Sequence, residues 1–489
     1  MSRVMSARGG SALGGKKTKI ICTIGPASED AKTLEAMATA GMDVVRLNFS
    51  HGDYKSHKKI IDNVRKISKK LDKPIGIMLD IQGPKIRVNT LPAPIKVKQG
   101  DTVIFTHDEK NVGETDFQVV PIQADLRSSL AHDHTILIDD GKLQFRVLRV
   151  KAMQVWAMCE VGGEITSHKG INLPDSVVKI PLISQKDEND LKFGLANDVD
   201  FIALSFVQSA RDVLALQKLI KKYYRKKHEA PWIISKIEKG EAVKEFPKIL
   251  QYSQGAMVAR GDLGLEILAE EVPVTQKRII EQCLRTAKPS VVATQMLDSM
   301  VSGPRPTRAE VTDVANAVTD HADAVMLSQE TAVGKYPVEA VTMMSKIVEE
   351  TEKSPYDDLS HGFLGDQKTS RAAAVADSAH ELSKSTKAKA IVGATLSGFT
   401  ARMIAHQRPQ NAEIIMMTNS EKTYNQLSLV WGVRPYILKR CKTLDELIQQ
   451  SIGLAKKRKI VSKGDKIVIV TGQPVGIREN MNLVEVQTV

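Results

Sequence analysis

Lys236 and Glu238 close an apolar run that reads Ile-Ile-Ser-Lys-Ile-Glu. A second run, Met257 to Glu266, carries Arg260 and Asp262 just past its β-branched start. Both runs have the look of buried parallel strands, and both turn charged at their ends. A charge at a buried strand end is costly unless it is paired, hydrogen-bonded or set against a metal. The two-residue spacing of Lys236 and Glu238 points both side chains to one face of their strand. Two carboxylates and a lysine on neighbouring strand ends suit a divalent cation beside an anionic substrate. The same residues would also serve as an ordinary ion pair between strands, and this stretch alone leaves both readings open.

The elements that must position these groups follow from periodicity. Strand-like runs at Thr18–Ile24, Asp43–Asn48, Pro74–Asp80, Val199–Ser205, Trp232–Glu238, Ala256–Asp262, Ser290–Gln295 and Ala322–Ser328 are each followed by a stretch of helical period. The expected helices are Ser28–Ala40, Ser56–Leu71, Ser184–Ala196, Ala210–Lys226, Gly240–Leu250, Val274–Thr286, Thr307–Thr319 and Val338–Glu350. Eight such units predict a (β/α)₈ TIM barrel, with its chemistry at the strand C-termini. Arg46, Asn48, Asp80, Ser205, Thr294 and Ser328 fall at such ends. More than a hundred residues separate the third and fourth strands, far beyond a loop. Residues 86–180 read as β, with turns at Asp139-Asp140-Gly141 and Gly162-Gly163, and predict an inserted small β-barrel that can act as a lid. After Pro355 strands and helices alternate again, which predicts a C-terminal doubly wound α/β domain. The expected division is an N-terminal arm over 1–16, a barrel over 17–85 and 181–355, a lid over 86–180 and an α/β domain over 356–489.

Composition narrows the function classes. The 489 residues are 42% apolar and 26% charged, an ordinary globular balance, with only 4% aromatic residues to stack on bases. The net charge of +12 suits phosphorylated small molecules, nucleic acid or an acidic surface without choosing among them. The basic runs 221–227 and 456–459 continue helical patterns and read as solvated faces. Without stacking stripes or a basic groove motif, a nucleic-acid partner is not expected. Cys22, Cys159, Cys283 and Cys441 are scattered, so neither a zinc site nor a disulfide framework is expected, and a reducing cytoplasmic setting fits. No apolar run reaches the ~18–20 residues that span a bilayer, so no membrane partner is expected. In the C-terminal domain Thr395-Leu-Ser-Gly398-Phe-Thr400 leaves a strand and opens a helix, as a phosphate loop or as a simple N-cap.

At seven motifs the chain resembles the pyruvate kinase family: Thr23–Ser28, Arg46–Gly52, Ile234–Glu238, Val258–Gly264, Ala293–Leu297, Pro306–Glu310 and Val325–Thr331, in order over residues 17–488. The resemblance implies phosphoryl transfer from phosphoenolpyruvate to ADP, giving pyruvate and ATP; the alternative is another metal-dependent phosphoenolpyruvate or oxo-acid barrel enzyme. It implies Mg²⁺ or Mn²⁺ on Glu238 and Asp262, and Lys236 and Arg46 on the moving phosphoryl group. Gly261, Asp262 and Thr294 would take the substrate carboxylate. Thr294 would further position a water, fed by Ser328 and Glu330, for enolate protonation. The nucleotide would lie on Pro26, Asn48, His51 and Arg87 from the barrel and Lys169 from the lid. Many members hold K⁺ near the equivalents of Asn48, Ser50, Asp80 and Ile81; here Lys85 stands where those members have glutamate, so K⁺ is not expected to be required. A phosphorylated effector would sit on Thr395, Ser397, Gly398 and Thr400, and a homotetramer is implied.

Overall fold

The computed structural model describes residues 15–489 apart from 109–111, 113–114, 152–153, 177–181, 227–228, 358–369, 442 and 475. Most of the expected N-terminal arm, Lys227 of the first basic run, Val475 and the expected lid–barrel boundary at 180/181 therefore lie outside the described residues.

Eight parallel strands close into a barrel in chain order: Lys19–Thr23, Val44–Asn48, Gly76–Ile81, Phe201–Leu204, Trp232–Ile237, Gly255–Ala259, Ser290–Ala293 and Ala324–Leu327. Alternation along each strand makes two cores. Ile20, Cys22, Val45, Ile77 and Leu79 pack outward against the helices, whereas Ile21, Val44 and Met78 point into the barrel. Helix starts are fixed by side chains that accept otherwise orphaned N–H groups: Asp30 from Lys32 and Thr33, and Asp53, Ser184 and Thr307 in capping boxes.

Two expected elements end differently. The run through Asp262 is strand only to Ala259; Arg260–Leu263 is a single helical turn, so Asp262 is presented from that turn. The helix expected over Gly240–Leu250 is broken into Gly240–Lys244 and Phe246–Tyr252, because Pro247 lacks an N–H and cannot continue the first helix.

The insert is a curled six-stranded sheet with a two-stranded ribbon, Ile95–Val97 with Gly163–Ile165, around one core that includes Phe105 and Phe145. It leaves the barrel on a paired stem. Val88 and Ile171 donate to the carbonyls of Lys169 and Ile86 at 2.9 Å each. The insert rests on the loop after the sixth barrel strand, where Asn172 Nδ2 donates to Glu266 Oε1 at 3.1 Å.

The C-terminal sheet has five strands, all parallel but the last, Leu483–Thr488. Its helices share one core with the barrel interior: Phe201, Trp232 and Met257 lie in the same cluster as Ala401, Leu427 and Trp431. Polar rivets cross the seam. Lys422 Nζ donates to Asp198 Oδ1 at 2.9 Å, Lys19 Nζ to the Val433 carbonyl at 3.0 Å, and His406 Nδ1 meets the Leu284 carbonyl at 3.2 Å. Among the described residues no helix is long and apolar enough to cross a membrane.

His406 is 5% exposed, and burial pushes its pKa down from 6.5 to about 4. The folded state therefore favours neutral imidazole. The stability this gives is complete above about pH 6.5 and is lost as pH falls from there toward 4, by ~2 kcal/mol at pH 5. Urea midpoints measured from pH 7 to 5 should fall more steeply for the unmodified protein than for His406→Gln; equal slopes would contradict the assignment.

Candidate active site

The C-terminal ends of the second to fifth barrel strands bring four charged side chains together. Arg46 Nε lies 2.6 Å from Asp80 Oδ2, and an Arg46 terminal nitrogen donates to Thr23 Oγ1 at 2.9 Å. Lys236 Nζ is 2.9 Å from Glu238 Oε1, 2.9 Å from Ser205 Oγ and 3.5 Å from Asp80 Oδ1. Ser205 Oγ lies 3.1 Å from Asp80 Oδ1 and 2.8 Å from the Ile81 carbonyl, so its single proton bonds one of the two. The second Glu238 oxygen accepts from the Phe206 backbone N–H at 2.6 Å. Asp80 and Glu238 are 2% and 1% exposed, so these charges depend on one another rather than on water.

The electrostatics follow. Burial opposes the Lys236 ammonium, but Asp80 and Glu238 outweigh it and hold its pKa above the ordinary lysine value. Burial works against the Asp80 carboxylate too, and Lys236 and Arg46 hold its pKa low. Glu238 is pushed up, first by burial and then by the neighbouring Asp262 carboxylate, despite Lys236. A carboxylate made costly to ionise by burial and by a second carboxylate nearby is a fitting place for a divalent cation with oxygen ligands. No group of three or more metal-ligating side chains occurs among the described residues.

Asp262 faces this cluster from its helical turn, with Lys85 Nζ 3.3 Å from Oδ1. The Gly261 N–H donates to Thr294 Oγ1 at 2.8 Å, and the Thr294 hydroxyl lies 2.6 Å from the Ala293 carbonyl. Thr294 has φ +70°, an uncommon conformation for a β-branched residue. Strain of this kind costs about 1–3 kcal/mol and needs a surrounding structure that enforces it. Arg260 helps to do so: it donates to the Thr294 carbonyl at 2.8 Å and pairs with Asp313.

Several expected residues stand apart from that centre. Both Glu330 oxygens accept backbone N–H groups, Leu297 at 3.0 Å and Ser328 at 2.7 Å, so Glu330 ties two strand-end loops together instead of bonding Thr294. The Ser328 hydroxyl is buried with no partner among the described residues. Asn48 Oδ1 accepts the Ser50 N–H at 3.1 Å, while Pro26 and His51 are exposed on the same rim. Arg87 belongs to the paired stem of the insert and not to the barrel; it donates to the His168 carbonyl at 2.9 Å. Lys169, next along that stem, is held by Asp139 at 2.7 Å. Lys85 meets Asp262, while Asp80 is taken up by Arg46, Ser205 and Lys236.

Sequence reasoning gave Ser205 no role and Asp80 only a part in a monovalent-cation site. Both are hubs of the charged network. A polar residue at the end of an apolar strand was the available signal for each.

In the C-terminal loop Thr395, Ser397 and Thr400, but not the expected Gly398, line a cavity of about 970 Å³ bordered also by Lys439, Arg440 and Arg478. Gly398 has φ +82°, and a Cβ there would meet the Trp232 ring at 2.9 Å, so the loop is pressed against the barrel and needs glycine.

Comparison with known proteins agrees with this geometry along nearly the whole chain. The family model described as pyruvate kinase, barrel domain, matches residues 15–341, and that described as pyruvate kinase, alpha/beta domain, matches residues 373–487. A pyruvate kinase of Staphylococcus saprophyticus is 42% identical over 478 residues, covering 97% of this chain and 80% of the relative. One from Staphylococcus aureus strain USA300 is 41% identical with the same coverage. The crystal structure of a pyruvate kinase from Cryptosporidium parvum superposes with a TM-score of 0.90 at 38% identity, covering 97% of this chain and 96% of that one. With a closed barrel whose strand ends gather lysine, arginine and paired carboxylates, and with both domain models matched in order, the chain belongs to the pyruvate kinase family.

Proposed function

We propose how the strand-end cluster serves the reaction of the family, phosphoryl transfer from phosphoenolpyruvate to ADP. In that reaction the bond from phosphorus to the enol oxygen breaks, and a bond from phosphorus to a β-phosphate oxygen of ADP forms. The resulting enolate then takes a proton at carbon to give pyruvate. Such transfer needs in-line positioning and neutralisation of charge more than covalent help.

The observation that carries the reading is the cluster of Arg46, Asp80, Lys236 and Glu238 at one barrel mouth. Asp80 and Ser205 hold the two cations in place. Lys236 neutralises charge on the phosphoryl group in transit, and the planar Arg46 guanidinium grips its oxygens. Glu238 and Asp262 would hold Mg²⁺ or Mn²⁺, which when bound supplies positive charge to the enolate and phosphoryl oxygens. Gly261, Asp262 and Thr294 frame the substrate carboxylate. The Thr294 hydroxyl proton is directed at the Ala293 carbonyl, which supports a role in placing a water rather than in giving up its own proton. The Ser328 hydroxyl, without a partner among the described residues, would stand behind that water, with Glu330 fixing the Ser328 backbone. The nucleotide lies on Pro26, Asn48, His51 and Arg87, with Lys169 released from Asp139 to reach its phosphates when the lid moves.

Lys85 replaces the need for K⁺. Its ammonium stands beside Asp262 and adds a fixed positive charge where substrate and nucleotide anions meet, and a nearby K⁺ would be repelled. The chain further assembles as a homotetramer, and a phosphorylated effector occupies the C-terminal cavity on Thr395, Ser397 and Thr400, with Gly398 shaping the loop from the barrel side. The loop from Thr471 to Gly476 is short and without a Ser/Thr run, which favours one phosphate over two.

Pyruvate release should require both phosphoenolpyruvate and ADP, and should proceed at full rate in potassium-free, sodium-free buffer made with a tetraalkylammonium salt. Lys85→Glu should create a K⁺ requirement or lose most activity. A many-fold rise on adding K⁺ to the unmodified protein would refute the role of Lys85, and pyruvate release without ADP would refute the reaction assignment. In the same assay a sugar or nucleoside monophosphate should sharpen or shift the phosphoenolpyruvate saturation curve; a response to fructose 1,6-bisphosphate alone would overturn the single-phosphate reading.

A further inference from the structure

Beneath the loop from Asn48 to Gly52 lies a histidine that the mechanism above does not use. His57 sits in the first turns of the helix Tyr54–Leu71 and is 6% exposed, whereas His51 in the loop is exposed. Its ring stacks on Phe49 with centroids 4.2 Å apart and planes at 18°. His57 Nε2 lies 3.0 Å from the His51 carbonyl oxygen. A carbonyl can only accept, so Nε2 must carry the proton. Nδ1 is buried without a partner among the described residues, so a second proton there would have nothing to bind. Burial also lowers the pKa of the ring, outweighing the opposing pull of the His51 carbonyl, Asp190 and Asp53, and Lys186 adds to the lowering. Packing and hydrogen bonding thus select one species, the neutral Nε2–H imidazole.

The loop above is fitted to that ring. Gly52 has φ +76°, and a Cβ on it would stand 3.2 Å from His57 Nε2, so the chain crosses directly over the imidazole. A cation holds the other side of the turn: Lys186 Nζ donates to the Phe49 carbonyl at 2.6 Å and to Asp190 Oδ2 at 2.7 Å. Tyr54 braces the same Asp190 through its hydroxyl at 2.7 Å. Within the loop, Ser50 and His51 donate backward to Asn48. The turn that carries Asn48 and His51 is therefore fixed by its carbonyls and by Asn48 Oδ1, which leaves the His51 side chain exposed at the rim for a ligand.

We propose that His57 is a positioning residue for the nucleotide: its Nε2–H holds the His51 carbonyl and thereby sets the turn that presents Asn48 and His51 to ADP. The inference rests on the reading that this loop binds the nucleotide. Freed from the hydrogen bond, the turn samples other shapes, and ADP must select the fitting one at a cost in apparent affinity.

The test is steady-state kinetics on His57→Phe, which keeps the stack on Phe49 and loses the donor, on His57→Gln, which keeps a donor, and on His51→Ala. His57→Phe should raise the KM for ADP about fivefold to tenfold, with kcat and the KM for phosphoenolpyruvate changed less than about twofold, and His57→Gln should recover most of the loss. A raised KM for ADP in His51→Ala beside an unchanged one in His57→Phe would overturn the proposal alone. An unchanged KM for ADP in His51→Ala would overturn the nucleotide reading of the loop, and the proposal with it. Should His57→Phe not fold, the ¹⁵N imidazole spectrum of the unmodified protein decides: an unprotonated Nδ1 on the resonance lost in His57→Gln supports the proposal, and a protonated one overturns it.

Discussion

Burying two cations and two carboxylates within one barrel mouth is the constraint on which the rest depends. Lys236, Glu238, Asp80 and Arg46 have little access to water, so each relies on its neighbours for solvation. Removing one partner of such a group costs about 3–5 kcal/mol, because the survivor stays buried and uncompensated. Replacing the whole set by apolar residues would often be neutral or stabilising, so stability does not explain its presence. In the proposed mechanism its value lies in preorganised charge: donors and acceptors are already fixed where an anionic group would be received, and no solvent has to reorganise during transfer.

That preorganisation is supplied from outside the site. The barrel closes Asp80 against Ser205 and Lys236 across strands that pair side by side. The C-terminal domain seals the other end of the barrel through a shared core and through Lys422, Lys19 and His406. The seam also touches the loop from Thr395 to Thr400. Thr423 Oγ1 donates to the Leu396 carbonyl at 2.6 Å, and Lys422 beside it reaches Asp198 just before the fourth barrel strand, which runs on to Ser205. A ligand that shifts the loop thus acts on groups in direct contact with a barrel strand. The insert is joined differently, by a narrow stem and a few polar contacts, an attachment suited to a lid.

Much of this was legible in the sequence because it is local. Strand alternation and helix caps mark the barrel repeat, and the spacing of Lys236 and Glu238 already placed them on one face. What escaped depends on closure or on backbone geometry. Ser205 meets Asp80 across 125 residues of chain, a partnership no local pattern encodes. Asp262 sits on a turn because the strand stops at Ala259, where the charged Arg260 leaves the sheet for Asp313 and the Thr294 loop. Thr294 in a left-handed conformation is invisible in its residue type, which disfavours that geometry; contacts from Gly261 and Arg260 enforce it. The orientation of Lys85 toward Asp262 likewise follows from the path of the stem and not from its neighbours in sequence.

In the proposed mechanism Glu238 and Asp262 together hold a divalent cation, and Lys236 is there for the anion. Mn²⁺ binding followed by electron paramagnetic resonance at pH 7, without nucleotide, tests this directly on the unmodified protein, Glu238→Gln and Lys236→Met. Glu238→Gln should weaken Mn²⁺ binding at least about tenfold, whereas Lys236→Met, which leaves both carboxylates and removes a competing cation, should bind Mn²⁺ as well or better while losing turnover. Unchanged Mn²⁺ affinity in Glu238→Gln, or its loss in Lys236→Met with the fold intact, would contradict that mechanism.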